Sequence, residues 1–250
     1  MKKTVIILLA VILSTALRAA VPSLYNVRKF GARGDGRSID SEAVNKAIET
    51  ASANGGGTVY FPAGTYLSYS IRMKDNIRLY LDRGAVIKAA VPTEKQGYDV
   101  AEPNGSRYQD FGHSHWKNSL IWGIGLHDIS IEGPGRIDGT DALSRGLENA
   151  DGPIAKANKA IALKECRNVT IEDITITCAS NYAFMAYALE DAVFRNIHIT
   201  EGWDGIHIRG GRNILIDACK LETGDDSIAG GYWENVEIRN CSINSSCNGI

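Results

Sequence analysis

The chain has almost no surplus charge of either sign: 27 Lys and Arg stand against 29 Asp and Glu, for a net charge of −2. It also has no cluster of Lys and Arg interleaved with aromatics, and together these absences argue against a nucleic-acid partner. None of the five cysteines forms a Cys-x-x-Cys pair, which removes the zinc sites built on that spacing. The apolar run Val5 to Leu13 falls short of the roughly 20 residues that span a bilayer comfortably. Lys2 and Lys3 precede this run, and Ser14, Thr15 and Ala19-Ala20 follow it. That is the layout of a secretory leader, although Leu17 and Arg18 occupy places where small residues are preferred. Residues 1–20 are therefore expected to be a signal peptide; the alternative is an uncleaved anchor or a buried helix. No Cys follows the run, so lipid attachment is not expected there. The expected destination is the periplasm or the extracellular space.

What the chain does have is a period. Four segments align, NVTIEDITI from Asn168, DAVFRNIHI from Asp191, NILIDACKL from Asn213 and NVEIRNCSI from Asn235. Apolar residues recur in fixed columns, as at Ile171, Phe194, Ile216 and Ile238, or Ile176, Ile199, Leu221 and Ile243. Short β-rich runs repeating every 20 to 30 residues signal a solenoid whose coils bury apolar faces against each other. The expected fold is all-β, a right-handed parallel β-helix over residues 21–250. Export would permit disulfides, but Cys219 and Cys241 share a core column with Ile174 and Ile197 and read as buried thiols. A Cys166–Cys178 pair stays open.

Asp40 or Ser41 starts an amphipathic helix running to about Ala53, with Ala43, Val44, Ala47, Ile48 and Ala51 on one face. It is expected to cap the open end of the core. The repeat breaks at about residues 91–117 and 140–159, stretches that could wall a groove on a rigid scaffold. The last coil stops at Ile250 with no closing cap visible, which suggests a truncated version of a longer protein.

Counting 13 residues from each segment start gives a polar column: Asn181, Asp204, Asp226 and Asn248. Rungs of a parallel stack lie roughly 4.8 Å apart, so distant acids become neighbours, with Asp225 beside them. Three crowded carboxylates repel, and at least one should bind its proton more tightly. One can then donate a proton while another activates water, as glycoside hydrolysis requires. The alternative is that Asp and Asn fill these columns as corner residues.

The segments WDGIHI and TGDDSIA resemble two signature motifs of glycoside hydrolase family 28, the polygalacturonases and their relatives. The opening NVRKFGARGDGRSIDSEAVNKAIETASANGGGTVYFPAGTY likewise resembles the first coils of pectin-degrading β-helix enzymes. The resemblance implies Asp225 as general acid, with Asp204 and Asp226 holding the attacking water, and inversion at the anomeric carbon. It implies a polysaccharide or oligosaccharide substrate, a monomer, and no metal or cofactor. Only Asp204 and Gly205 match the first motif. Asn248 stands where the family has a histidine, and the family's Arg-x-Lys motif is absent. Trp203 either stacks on a sugar or packs on the next rung. His207 and Arg209 follow Asp204 and are expected to line the groove with Asn248. His113 and His115 suggest loop packing before a metal or substrate contact; His127 and His198 read as solvent-facing. The competing functions are a Ca²⁺-dependent polysaccharide lyase and a non-catalytic carbohydrate-binding β-helix.

Overall fold

A computed structural model of the chain describes residues 23–103, 113–140, 142–143 and 157–250. The expected leader lies outside these residues, as do parts of both interruptions of the repeat.

Every strand pairing in the described residues is parallel, and the coils pair in register apart from one shift between Asp35–Ile39 and Gly64–Ser68. The chain winds as a parallel β-helix, with the right-handed sense general to parallel crossovers. Eight strands from Asp35–Ile39 to Ser242–Ser245 make one face. The other sheet bends, because its long strands Tyr182–Arg195, Asp204–Asp217 and Ile228–Arg239 each cross a corner. Their first halves continue the short strands Ile71–Arg72, Ile121–Ile124 and Lys159–Lys164; their second halves continue His127–Glu132 and Arg167–Glu172.

The two apolar columns expected from the period are observed: Ile171, Phe194, Ile216 and Ile238 pair successively, as do Ile176, Ile199, Leu221 and Ile243. Phe194, Ile216, Ile199 and Leu221 are fully buried, so each rung's apolar face is covered by its neighbours. At roughly 1.5–3 kcal/mol per buried aliphatic or aromatic side chain, these columns dominate the stabilisation. Cys219 is buried in the same interior, and all five cysteines are free thiols. The pairing of Cys166 with Cys178 is therefore not formed.

The residues that open each repeat are its corners. Asp128, Asn168, Asp191, Asn213 and Asn235 all adopt left-handed φ values between 50° and 55°, a region Asn and Asp enter at least cost among residues with a side chain. Their side chains also bond along the stack: Asn213 donates to Asp191 at 2.8 Å and Asn235 to Asn213 at 2.8 Å. The period is visible in sequence because the corner chemistry repeats with it.

The helix Ser41–Ala53 closes the first coils as expected, burying Val44, Ala47, Ile48 and Ala51. Asp40 precedes it but makes no side-chain cap. Its carboxylate instead accepts the N–H groups of Arg33 and Gly34, tying down the Gly-rich turn.

Candidate active site

Three consecutive coils deliver the candidate residues to one edge of the bent sheet. Asp204 opens its strand, and Gly205 N–H donates to the Asp226 carbonyl at 2.9 Å. The register of 22 residues carries on through Ile206 and Ile228, so Asp204 stacks on Asp226 and Asp226 on Asn248. Close approach requires glycine at 205: a Cβ there would lie 2.4 Å from the Ser227 carbonyl oxygen. The Gly after the first Asp is thus a packing demand of the stacked rungs.

Asn181 does not belong to this column. Tyr182, not Asn181, pairs with Asp204. The turn 178–181 carries one residue more than the turn 201–203, because Thr177 pairs with Thr200 at a separation of 23 whereas Tyr182 pairs with Asp204 at 22. Asn181 remains close, its carbonyl accepting the Asp204 N–H at 2.9 Å.

Asp204 is the electrostatic focus. Burial raises its affinity for a proton; the His207 hydrogen bond and charge oppose this, while Asp225 and Asp226 add repulsion. His207 Nδ1 lies 2.8 Å from Asp204 Oδ2, with side-chain exposures of 12% and 14%, so both groups are largely withdrawn from solvent. Asn248 reaches Asp226 from the next rung, donating its backbone N–H and its side-chain amide to Oδ1 at 3.1 and 2.7 Å. The Asp225 carbonyl is held by the hydroxyls of Thr223 and Ser245. Oxygens of Asp225 and Asp226 and the Cys247 sulfur lie within 4.8 Å of one another. The two acids push the thiol above its ordinary range, Asp225 foremost.

That trio is the one place among the described residues where three such groups converge closely enough for a cation. Two carboxylates and a thiol do not match the all-oxygen shell that Ca²⁺ prefers.

The other sequence candidates divide. Trp203 is 38% exposed, and its Cδ1 would lie 3.9 Å from a Cβ placed on Gly224 in the next rung. Arg209 is exposed two residues beyond His207, on the same side of the strand and paired with Tyr187. His113 and His115 part company: His115 is buried with Nδ1 2.8 Å from the Glu102 carbonyl, whereas the His113 ring lies 4.7 Å from His207 and 5.4 Å from Tyr182.

Sequence reasoning missed three members of this neighbourhood. Tyr182 meets His207 edge-on at 5.5 Å, and the extra residue before it hides its column. Lys159, paired with Tyr182, is fully buried with Nζ bonded to Asn158 Oδ1 at 2.7 Å and 6.0 Å over the Tyr182 ring. Trp116 packs with Ala162, Tyr182 and Met185 on the outer face of the sheet. Trp116 and His113 thereby cover the rungs that precede Asp204. No periodic signal marks a loop residue that folds onto the sheet.

A separate cleft of about 540 Å³ opens between the capping helix and Tyr69, Arg72 and Asp99. Arg72 and Asp99 already satisfy each other through two hydrogen bonds. Arg72 stands four rungs from His207 by register, roughly 19 Å, so this cleft is not the acid cluster's groove.

Comparisons with known proteins agree with the β-helix fold. The chain is 26% identical over 287 residues to an exo-poly-alpha-D-galacturonosidase of Dickeya chrysanthemi, covering 92% of this chain and 46% of that protein. It is 28% identical over 216 residues to polygalacturonase QRT2 of Arabidopsis thaliana, covering 83% and 46% respectively. The chain spans about half the length of these relatives. A solved family 28 exopolygalacturonase of Yersinia enterocolitica shares the fold with a TM-score of 0.70 at 20% identity, over 90% of this chain and 48% of that one. Residues 24–250 match the family described as Rhamnogalacturonase A/epimerase, pectate lyase-like, and the chain belongs to that family.

Proposed function

We propose that the chain is the catalytic part of a secreted glycoside hydrolase, exported by residues 1–20, that cleaves α-linked pectic polysaccharide with inversion. The observation that carries this reading is the stack of Asp204 on Asp226 with Asp225 adjoining, at the open edge of a rigid sheet. Asp225 protonates the leaving oxygen, while Asp204 and Asp226 hold and deprotonate the attacking water. Trp203, His207, Arg209 and Asn248 line the substrate groove. Arg209 supplies a cation for a uronate carboxylate, with the planar donor geometry that suits it.

The wall formed by His113 and Trp116 supports attack at a chain end. Ala162 and Met185 occupy the rungs before His207 on the outer face, and both are buried. A polysaccharide lying along the groove meets this wall just past the catalytic rung. The product is then a short saccharide released from one terminus. The mixed oxygen and sulfur donors disfavour the calcium lyase reading.

The test is digestion of defined oligogalacturonides by the purified chain and by its Asp225→Asn variant. Expected are new reducing ends, sequential shortening and no ultraviolet-absorbing unsaturated product. Asp225→Asn should lose at least about 10²-fold in kcat, the contribution of one acid–base group. Unsaturated products, or undiminished activity in the variant, overturn the reading.

A further inference from the structure

We propose, on the hydrolase reading above, that His207 is a positioning residue for Asp204, supplying from Asp204's own strand what Asn248 cannot. Asn248 bonds Asp226 but does not titrate near neutrality. The chain's imidazole partner for the acid stack sits instead on Asp204, at 2.8 Å.

The geometry gives His207 a defined task. An ionised carboxylate only accepts, so the bond to Oδ2 is donated by Nδ1. Asp204 therefore meets water through Oδ1, while Asn248 holds Asp226 by its own Oδ1. Each stacked acid has one oxygen anchored by nitrogen donors, and the aim of the other is set by that anchor. During attack a water O–H bond breaks, its proton passes to Asp204, the water oxygen bonds to the anomeric carbon, and Asp225 protonates the departing oxygen. The Nδ1 proton stays on His207 throughout.

The surroundings hold the imidazole in place. His113 and Tyr182 flank it at 4.7 and 5.5 Å, and its register partner on the following rung is Ala229. The titratable and charged groups around the pair are Asp204 on its own strand, Tyr182 and then Lys159 on the preceding rungs, His113 from the covering segment, and Asp225 and Asp226 acting on Asp204. Burial and these two acids raise the Asp204 carboxyl's affinity for a proton, and His207 is the group that opposes them. Loss of the imidazole should therefore let Asp204 take up a proton at higher pH and leave the base idle.

The experiment pairs kinetics with nitrogen NMR. His207→Phe keeps a ring against His113 and Tyr182 but removes the donor; His207→Asn keeps a donor near Nδ1 but removes the charge. On oligogalacturonide, His207→Phe should lose about 10- to 100-fold in kcat with KM changed less than about threefold, and its acid limb should move to higher pH. His207→Asn should recover part of kcat yet keep the displaced limb. An unchanged acid limb and wild-type kcat in His207→Phe overturn the proposal. Independently of turnover, the ¹⁵N spectrum at a pH that leaves imidazoles neutral should show His207 as the Nδ1–H tautomer, a signature lost in Asp204→Asn. An Nε2–H tautomer in the wild-type chain overturns the pairing. A wild-type chain inactive on pectic oligosaccharides overturns the hydrolase reading and the kinetic role with it, while the spectrum still decides the pairing.

Discussion

Asn248 places two hydrogen-bond donors on a single oxygen of Asp226, its backbone N–H at 3.1 Å and its amide at 2.7 Å. Only the second depends on the side chain. Asn248→Ala should therefore lower kcat by roughly tenfold, the worth of one hydrogen bond to a charged group, while leaving KM nearly unchanged. Steady-state kinetics on a defined oligosaccharide checks this.

Stability should fall as pH rises through the range of Asp204. Its carboxyl takes a proton more readily in the folded chain than in the unfolded one. The folded state thus binds more protons between the unfolded pKa near 3.9 and the higher folded value, and stability declines with pH across that window. Asp204→Asn removes the buried charge, so it should melt at or above the wild-type temperature at pH 7, with the difference vanishing below about pH 4. Paired thermal melts at those two pH values decide the sign.

Cys247 offers a chemical probe of the cluster. Its thiol is held above the usual range by Asp225 and Asp226, and the thiolate is the reactive form. Iodoacetamide should label it several-fold more slowly at neutral pH than an exposed model thiol, with the rate climbing in alkali and falling when oligosaccharide is bound. Mass spectrometry of the labelled peptide measures each rate.

Gly205→Ala tests the contact between rungs. The new methyl would press on the Ser227 carbonyl at 2.4 Å, and backbone cannot yield as a flexible side chain does. Overpacking of this kind costs about 1–3 kcal/mol. Denaturant unfolding should show that loss, and activity should fall with it as Asp204 and Asp226 are pried apart.

Stereochemistry separates two readings of the spacing. Asp225 and Asp226 approach within 4.8 Å, closer than the ~6.5–9.5 Å that generally separates the acid and base of inverting enzymes. Under the proposed function, inversion would depend on water held by Asp204 and Asp226 on the side away from Asp225. Proton NMR of the first product from an α-linked substrate should show the β anomer.

Much of this molecule was legible in its residues, and the reason is physical. Coils stacked in register must repeat their core columns and their left-handed corners, so Ile171 through Ile238 and Asn168 through Asn235 announced both the period and the fold. The pairing of Asp204 with Asp226 followed from that period. Asn181 was misplaced because one added residue in the turn 178–181 shifts the register, and a turn can absorb a residue without disturbing the core pattern. His113 and Trp116 come from a break in the repeat, where packing on the sheet is decided in three dimensions and leaves no periodic trace.

The corner ladder has one more consequence, for how the molecule ages. Asn235 donates to Asn213, and Asn213 donates to Asp191. Spontaneous deamidation of Asn213 would replace a donor with a second anion directly against Asp191, turning a shared bond into mutual repulsion. Damage there would loosen the spine of corners from Asp191 to Asn235 without touching the stack of Asp204 on Asp226.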